Sequence, residues 1–413
     1  MPKILQIALV ITVTAVLAVL ATAAVMGGQR TDESAPGAPS ATTPSMQIGD
    51  AAEPPERADR GSADEVAIRA PSDNAAAGQA AAIEPAPHGT RLPEALWENF
   101  KTRFVLPDGR VIDDANGGIS HSEGQGYGML LAAFAGDEAT FQRLWAWSET
   151  ELLVRDDGLA AWRWEPDADP HVTDLNNAAD GDILIAWALM EGAERFGEDS
   201  YRQAAASLAT AIHAHTTKRD RLGRVVMPGA VGFGPDDRPD GPVVNLSYWV
   251  FPAVPALKKA APNLDWGGVA ESGLAILGKS QFGARNLPTD WIALGGGRAR
   301  PANGFPPSFA YNAIRIPLYL AWGKVGERKD MAPFMALWSN AAAGLHTIDV
   351  TSGEPVEELN GVGYQAVAAL VACAMEGRPI PRALRATSPD PYYPTVLQAL
   401  SLAAAEEVFS GCR

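Results

Sequence analysis

The chain has 413 residues, 47% of them hydrophobic, and a formal net charge of −16. That length and apolar content allow a large core. An acidic chain without a basic cluster excludes nucleic acid and an anionic membrane surface as partners, and favours a neutral substrate. The two cysteines, Cys373 and Cys412, make no C-x-x-C pair, so a zinc site of that kind is excluded. They could form one disulfide in an oxidising compartment, but spacing does not decide it, and free thiols are the preferred reading.

In chain order, the first element is an address. Lys3 precedes an uncharged, largely apolar run from Ile4 to Met26, which is 23 residues long. A secretory apolar region is usually about 7–15 residues, whereas a spanning helix needs about 20. The small residues "ATA" at 21–23 nevertheless suit a signal peptidase. Residues 1–27 therefore read as a signal peptide or a transmembrane anchor, with Lys3 cytoplasmic and the remainder exported to the periplasm. The membrane is contacted only through residues 4–26. Residues 28–92 are rich in Ala, Pro, Ser and Gly and nearly devoid of large apolar residues. Such a segment buries too little surface to offset its ordering entropy, and reads as a disordered linker. Residues 93–413 form the globular region.

Within that region helical periodicity covers 94–104, 123–135, 138–154, 182–196, 199–215, 245–260, 267–280, 308–323, 330–345, 361–375 and 391–408, with a short helix near 380–386. Strand signals are confined to "RVIDD" at 110–114 and "RVVMP" at 224–228. About a dozen helices joined by polar loops predict an all-α toroid of inner and outer helices. A helical solenoid is the alternative, and no fixed-period repeat supports it.

Two stretches carry the chemistry. "SHSEGQGYGM" at 120–129 sets Glu123 at the mouth of an apolar helix. The structural explanation is a capping box of Ser122 and Gln125, with Glu123 favoured by the helix dipole. "NNAADGDILIAWALMEGAERF" at 176–196 sets Asp180 and Asp182 at the start of a second apolar helix. Capping by Asp182 and the dipole accounts for one acid more comfortably than for two. If both helices begin on one rim, Glu123 faces Asp180 and Asp182 across a cleft. Glycoside hydrolysis needs that layout: one carboxylic acid protonates the leaving oxygen and a second carboxylate activates water or attacks the sugar. Trp162, Trp164, Tyr248, Trp249 and Trp291 are candidate sugar platforms. A nucleotide loop is excluded because the glycines at 124, 126 and 128 lack the G-x-G-x-x-G spacing. His213 and His215 fall on different helix faces, which argues against a metal.

"SEGQGYGM" and "AADGDILIAWALMEGA" resemble two motifs of glycoside hydrolase family 8, and "GRVID", "AWRW", "MPGAVGF", "LSYW", "PTDW", "YNAIRIPLYLAW" and "DPYYPTVLQAL" follow in the family's order. The likeness covers about 93–413 and is greatest to the periplasmic endoglucanases encoded with bacterial cellulose synthase. It implies an (α/α)6 barrel with few short strands. It also implies an inverting endo-β-1,4-glucanase, a cellulase, working as a monomer on a β-1,4-glucan chain. The cellulose synthase complex is the implied partner, and no cofactor or metal is implied. Glu123 matches the general acid, and Asp180 matches the residue that binds the sugar at the point of cleavage, with Asp182 beside it. Gln125 and Tyr127 belong to the first motif, and Tyr311 and Arg315 match residues near the catalytic water. The second motif departs from the family at Ala179, Gly192 and Phe196. The larger departure is Asn312, which stands where an Asp general base is expected. Asp290 or Asp180 is then the alternative base. Other readings are a hydrolase of chitosan or xylan, and a glucan-binding protein weakened in catalysis.

Overall fold

The computed structural model describes residues 91–339 and 344–412. The expected signal or anchor at 1–27, and all of the expected linker but residues 91 and 92, lie outside these. Among the described residues there are eleven α-helices and ten short strands. The helices are α1 (Glu94–Phe104), α2 (Ser122–Ala135), α3 (Glu138–Glu151), α4 (Ala179–Phe196), α5 (Asp199–His215), α6 (Val254–Ala260), α7 (Trp266–Leu277), α8 (Arg315–Gly323), α9 (Arg328–Trp338), α10 (Val362–Glu376) and α11 (Tyr392–Val408).

Burial sorts them into two rings. Almost every residue of α2, α4 and α8 is buried, as is α11 from Tyr392 to Ala405. By contrast α1, α3, α5 and α9 bury one stripe and expose the rest. The inner ring closes on itself. α2 packs on α4, α4 on the 246–260 segment, that segment on α8, α8 on α10, α10 on α11, and α11 back on α2. Outer helices alternate with inner ones as far as α10, and a return segment carrying a 3₁₀ turn at Arg382–Arg385 takes the outer place between α10 and α11, so the inner helices run parallel. The architecture is the expected (α/α)6 barrel.

Close approach in this ring depends on glycine. A Cβ on Gly126 would lie 2.6 Å from Leu184 Cβ, and one on Gly181 would lie 2.7 Å from the backbone nitrogen of Glu123. Neither contact is tolerable, so the α2–α4 pair can approach to this distance only with glycine at both places. The approach sets Glu123 and Asp180 side by side.

Two inner helices depart most from expectation. The third inner element is broken into 3₁₀ turns at Leu246–Tyr248 and Phe251–Ala253 before α6. Pro252 and Pro255 remove two N–H donors, so a continuous helix through 246–260 would lack two of its hydrogen bonds. The helix expected over 308–323 starts only at Arg315. Ser308–Phe309 is a strand, β8, and 310–314 is a turn whose N–H groups are captured by Asp290. The strands form four small antiparallel sheets in the loops. Three of them lead into the starts of inner elements: β1 (Ser120–His121) into α2, β5 (Val243–Val244) into Leu246, and β8 into α8. The loop sheets thus brace one rim of the barrel.

Cys373 at the end of α10 and Cys412 near the C-terminus are paired, with their Cα atoms 5.9 Å apart. This corrects the expectation of free thiols. The carbonyl of Cys412 also accepts from the Ile380 N–H and from Arg385, so the terminal turn is held from three sides. The two cysteines are 39 residues apart in sequence. Closing a loop of that size stabilises by about 4 kcal/mol on the chain-entropy account. Urea unfolding should show losses of that order for Cys412→Ser, and an equal loss for the wild type under reductant.

Candidate active site

Arg315, the first residue of α8, is wholly buried and organises the rim. Its Nη1 lies 2.9 Å from Asp180 Oδ2 and 3.0 Å from Glu123 Oε1. Its Nη2 donates to Asn312 Oδ1 at 2.9 Å and to Ser247 Oγ at 3.0 Å. Ser247 Oγ in turn donates to Asn245 Oδ1 at 2.7 Å. Four inner elements therefore converge on one guanidinium: α2, α4, the 246–260 segment and the turn before α8. Tyr127 lies behind it, 3.3 Å from Nη1, with its hydroxyl 2.6 Å from that of Tyr319.

The two acids on Arg315 differ. Asp180 Oδ2 is hydrogen-bonded to the guanidinium, and its Oδ1 accepts the Gly181 N–H at 2.9 Å. Glu123 is 2% exposed, and its contact with Nη1 lies off the N–H axis, so neither oxygen makes a directed hydrogen bond to the protein. One positive charge faces two buried carboxylates. Burial, and then the Glu123 charge, push Asp180 up to about 7 against the pull of Arg315.

Several residues expected to meet substrate prove to be struts. Gln125 is fully buried. Its oxygen accepts the Val111 N–H, and its nitrogen donates to Gly109, Leu144 and Ser148. Asp182 is also fully buried and turns away from Glu123. Its oxygens accept the Ala160 N–H at 2.8 Å and the Asn177 amide at 2.7 Å, and burial pushes it up to about 7. Asp182 is no cap, because α4 starts three residues earlier without a side-chain cap. Tyr127 supports Arg315 from within the core. The Trp249 ring is core as well, donating to the Val269 carbonyl.

The expected capping box is absent. Residue 121, not Ser122, is the N-cap of α2, and the His121 ring accepts the Gly124 N–H. Ser122 Oγ has no partner.

The expected ring platforms are packed rather than open. Trp162 donates to Asp174, and Trp164 donates to Glu151, stacks on His171 and lies under Arg110. Trp291 stacks on both Phe233 and Phe305, with Tyr248 edge-on to it. Of that stack Phe305 is the more exposed ring. Tyr311 is 8% exposed; its carbonyl accepts from Tyr393, and burial with Glu357 beside it raises its hydroxyl.

Asp290 does not stand free. Oδ1 accepts the N–H groups of Ala310 and Ala313 at 2.9 and 2.8 Å, and Oδ2 lies 3.4 Å from that of Asn312. It shapes the turn that presents Asn312. Burial raises Asp290 and these donors lower it, with burial the larger effect. Sequence reasoning passed over Ser247, Asn245, His121 and Phe305. "SHSEGQGYGM" contains His121 and "LSYW" contains Ser247, but nothing in either stretch marks these two for a role, and no motif covers Asn245 or Phe305.

Residues 72–407 match the family model described as glycosyl hydrolases family 8. A probable endoglucanase of Novacetimonas hansenii is 40% identical over 283 residues, covering 67% of this chain and 82% of that protein. An endoglucanase of Cellulomonas uda is 35% identical over 287 residues, covering 64% and 79%. Among solved structures, an endo-β-1,4-glucanase from Acetobacter xylinum is 38% identical with a TM-score of 0.71, covering 78% of this chain and 100% of that one.

Proposed function

Since this chain belongs to glycosyl hydrolase family 8, we propose that it is an endo-β-1,4-glucanase in which Glu123 protonates the leaving oxygen. The carrying observation is the shared guanidinium: Arg315 holds Glu123, Asp180 and the Asn312 oxygen at one buried rim. Glu123, without directed hydrogen bonds of its own, is free to donate its proton to a bridging oxygen between two sugars. Asp180, fixed by Arg315 and Gly181, holds the ring being cleaved. Water then attacks the anomeric carbon from the opposite face near Asn312, with inversion. Full-length protein should release reducing ends from soluble cellulose derivatives and little from chitosan or xylan. Release from chitosan or xylan alone would overturn the substrate assignment.

Transfer of the acid proton requires that the Glu123–Asp180 pair keep one proton. With Asp180 pushed up to about 7 by burial, the proton it holds is lost as pH rises through that value. The ratio kcat/KM should therefore fall about tenfold per pH unit above about 7. In Asp180→Asn one negative charge is gone and Arg315 is unshared, so the falling limb of the residual activity should move to lower pH.

The enzyme acts outside the cytoplasm, on this reading, beside cellulose being made and exported. The apolar run at 4–26 and the Cys373–Cys412 disulfide support export, because such bonds persist in oxidising compartments. Cell fractionation tests the location; a cytoplasmic pool of active enzyme would oppose it.

A further inference from the structure

His121 is 3% exposed and extended (φ −143°, ψ 155°), in a two-residue strand that places it opposite Arg163. Its Nδ1 accepts the Gly124 N–H at 2.9 Å, which makes the imidazole the cap of the helix that carries Glu123. An acceptor cannot carry a hydrogen, so the ring proton sits on Nε2, which lies 3.8 Å from Asp113 Oδ2. The ring is held edge-on against Tyr392, with centroids 5.7 Å apart and an interplanar angle of 81°. The fit is tight on the helix side too. A Cβ on Gly124 would lie 3.1 Å from the Tyr392 hydroxyl and 3.2 Å from His121 Cε1. Glu123 is thus bracketed between the capping ring and the nitrogen it caps.

We propose that His121 is a positioning residue for the general acid: as a neutral imidazole it locks the first turn of α2 and aims Glu123, and its protonation releases that turn. The inference rests on Glu123 being the acid. A hydrogen on Nδ1 would point at the Gly124 N–H, donor against donor, and the helix would lose its one side-chain cap. The groups facing the ring are Asp113 from the preceding loop, Glu123 on α2, Asp180 on α4 and the Tyr392 ring on α11. Arg163, opposite in the strand pair, directs its guanidinium to Glu165. Burial opposes the imidazolium, but Asp113, Glu123 and Asp180 together outweigh it, so His121 lies above its ordinary 6.5. The cap bond favours the neutral ring and the acid neighbours favour the cation. This sign gives an acid limb: turnover falls as pH drops through the His121 transition.

Asn and Ala at 121 separate positioning from mere structure. Asn supplies a carbonyl acceptor that does not titrate and is a favoured cap; Ala supplies none. His121→Ala should lower kcat at least about tenfold with KM within about twofold, since a small misplacement of a catalytic group costs turnover rather than affinity. His121→Asn should recover most of that kcat and lose the acid limb of the wild type. The proposal is overturned if His121→Ala keeps wild-type kcat, or if His121→Asn keeps the acid limb. A third measurement needs neither substrate nor a folded Ala variant. Nitrogen NMR of the full-length wild type, with histidine labelled and the resonance assigned by its loss in His121→Asn, should show hydrogen on Nε2 at high pH. Hydrogen on Nδ1 would refute the cap. Because this readout is independent of turnover, a failed tautomer and a failed acid assignment are told apart.

Discussion

Glu123→Gln is expected to lower kcat on β-1,4-glucan by roughly 10²–10⁴, the usual worth of a positioned proton donor. Gln keeps the shape of the side chain and can still meet Arg315 through its oxygen. It has no acidic proton for the departing sugar oxygen. The helix itself should be little affected, because Glu123 makes no directed hydrogen bond and α2 is capped from residue 121. Binding of a cello-oligosaccharide should therefore stay within a few-fold of wild type, and thermal unfolding should change little. A substrate with a strongly acidic aryl leaving group needs no protonation, and its cleavage should be impaired far less. That contrast identifies an acid rather than a generally damaged site. Near wild-type hydrolysis of unactivated glucan by the variant would end the assignment.

Most of the barrel can be predicted from pattern because its inner helices are almost wholly apolar and its outer helices carry one regular apolar stripe. The expected and observed limits of α1 and α5 coincide, and those of α10 and α11 differ by one residue at each limit that moved. The failures have physical causes that lie in tertiary contacts. The start of α8 is delayed by a carboxylate from residue 290 that takes three N–H groups of the turn before it. Local pattern alone reads Ser122 and Gln125 as a capping box. In the fold Gln125 is drawn inward by four partners, and a histidine performs the capping. At the site, Glu123 and Asp180 were identifiable by their place at helix starts. Asp182 looks identical in sequence, but two residues along a helix turn it by about 200°, away from the cleft and onto Ala160 and Asn177. The pairing of Cys373 with Cys412 depends on where α10 and the C-terminus meet, which their spacing does not encode.

Asn312→Asp is expected to raise kcat by about 10² or more. Its Oδ1 accepts from Arg315 Nη2 at 2.9 Å, and Asp is nearly isosteric, so a carboxylate there can keep that bond and present its second oxygen to the attacking water. The amide of the wild type has no basic site for a proton near neutral pH. On this reading the wild-type enzyme holds its water without removing its proton, and turns over slowly. Asp290 is the carboxylate that takes N–H groups of the Asn312 turn, and its oxygens already serve three backbone donors and the Asn312 side chain. Burial raises its proton affinity overall, but a carboxylate so occupied turns its lone pairs to the backbone and away from a water. Loss of activity in Asp290→Asn would not by itself make Asp290 the base. An amide nitrogen at that position would face N–H groups that need an acceptor, and the turn carrying Asn312 would shift. Asn312→Asp is less ambiguous because the Ala310 and Ala313 N–H groups still meet an acceptor at Asp290, although the side chain at 312 no longer donates to it. A third carboxylate on Arg315 also raises the proton affinity of the Glu123–Asp180 pair, so the alkaline limb of kcat/KM should move upward together with the gain in rate. If Asn312→Asp leaves both kcat and that limb unchanged, the water loses its proton to another group, and the slow-turnover reading of the wild-type site is wrong.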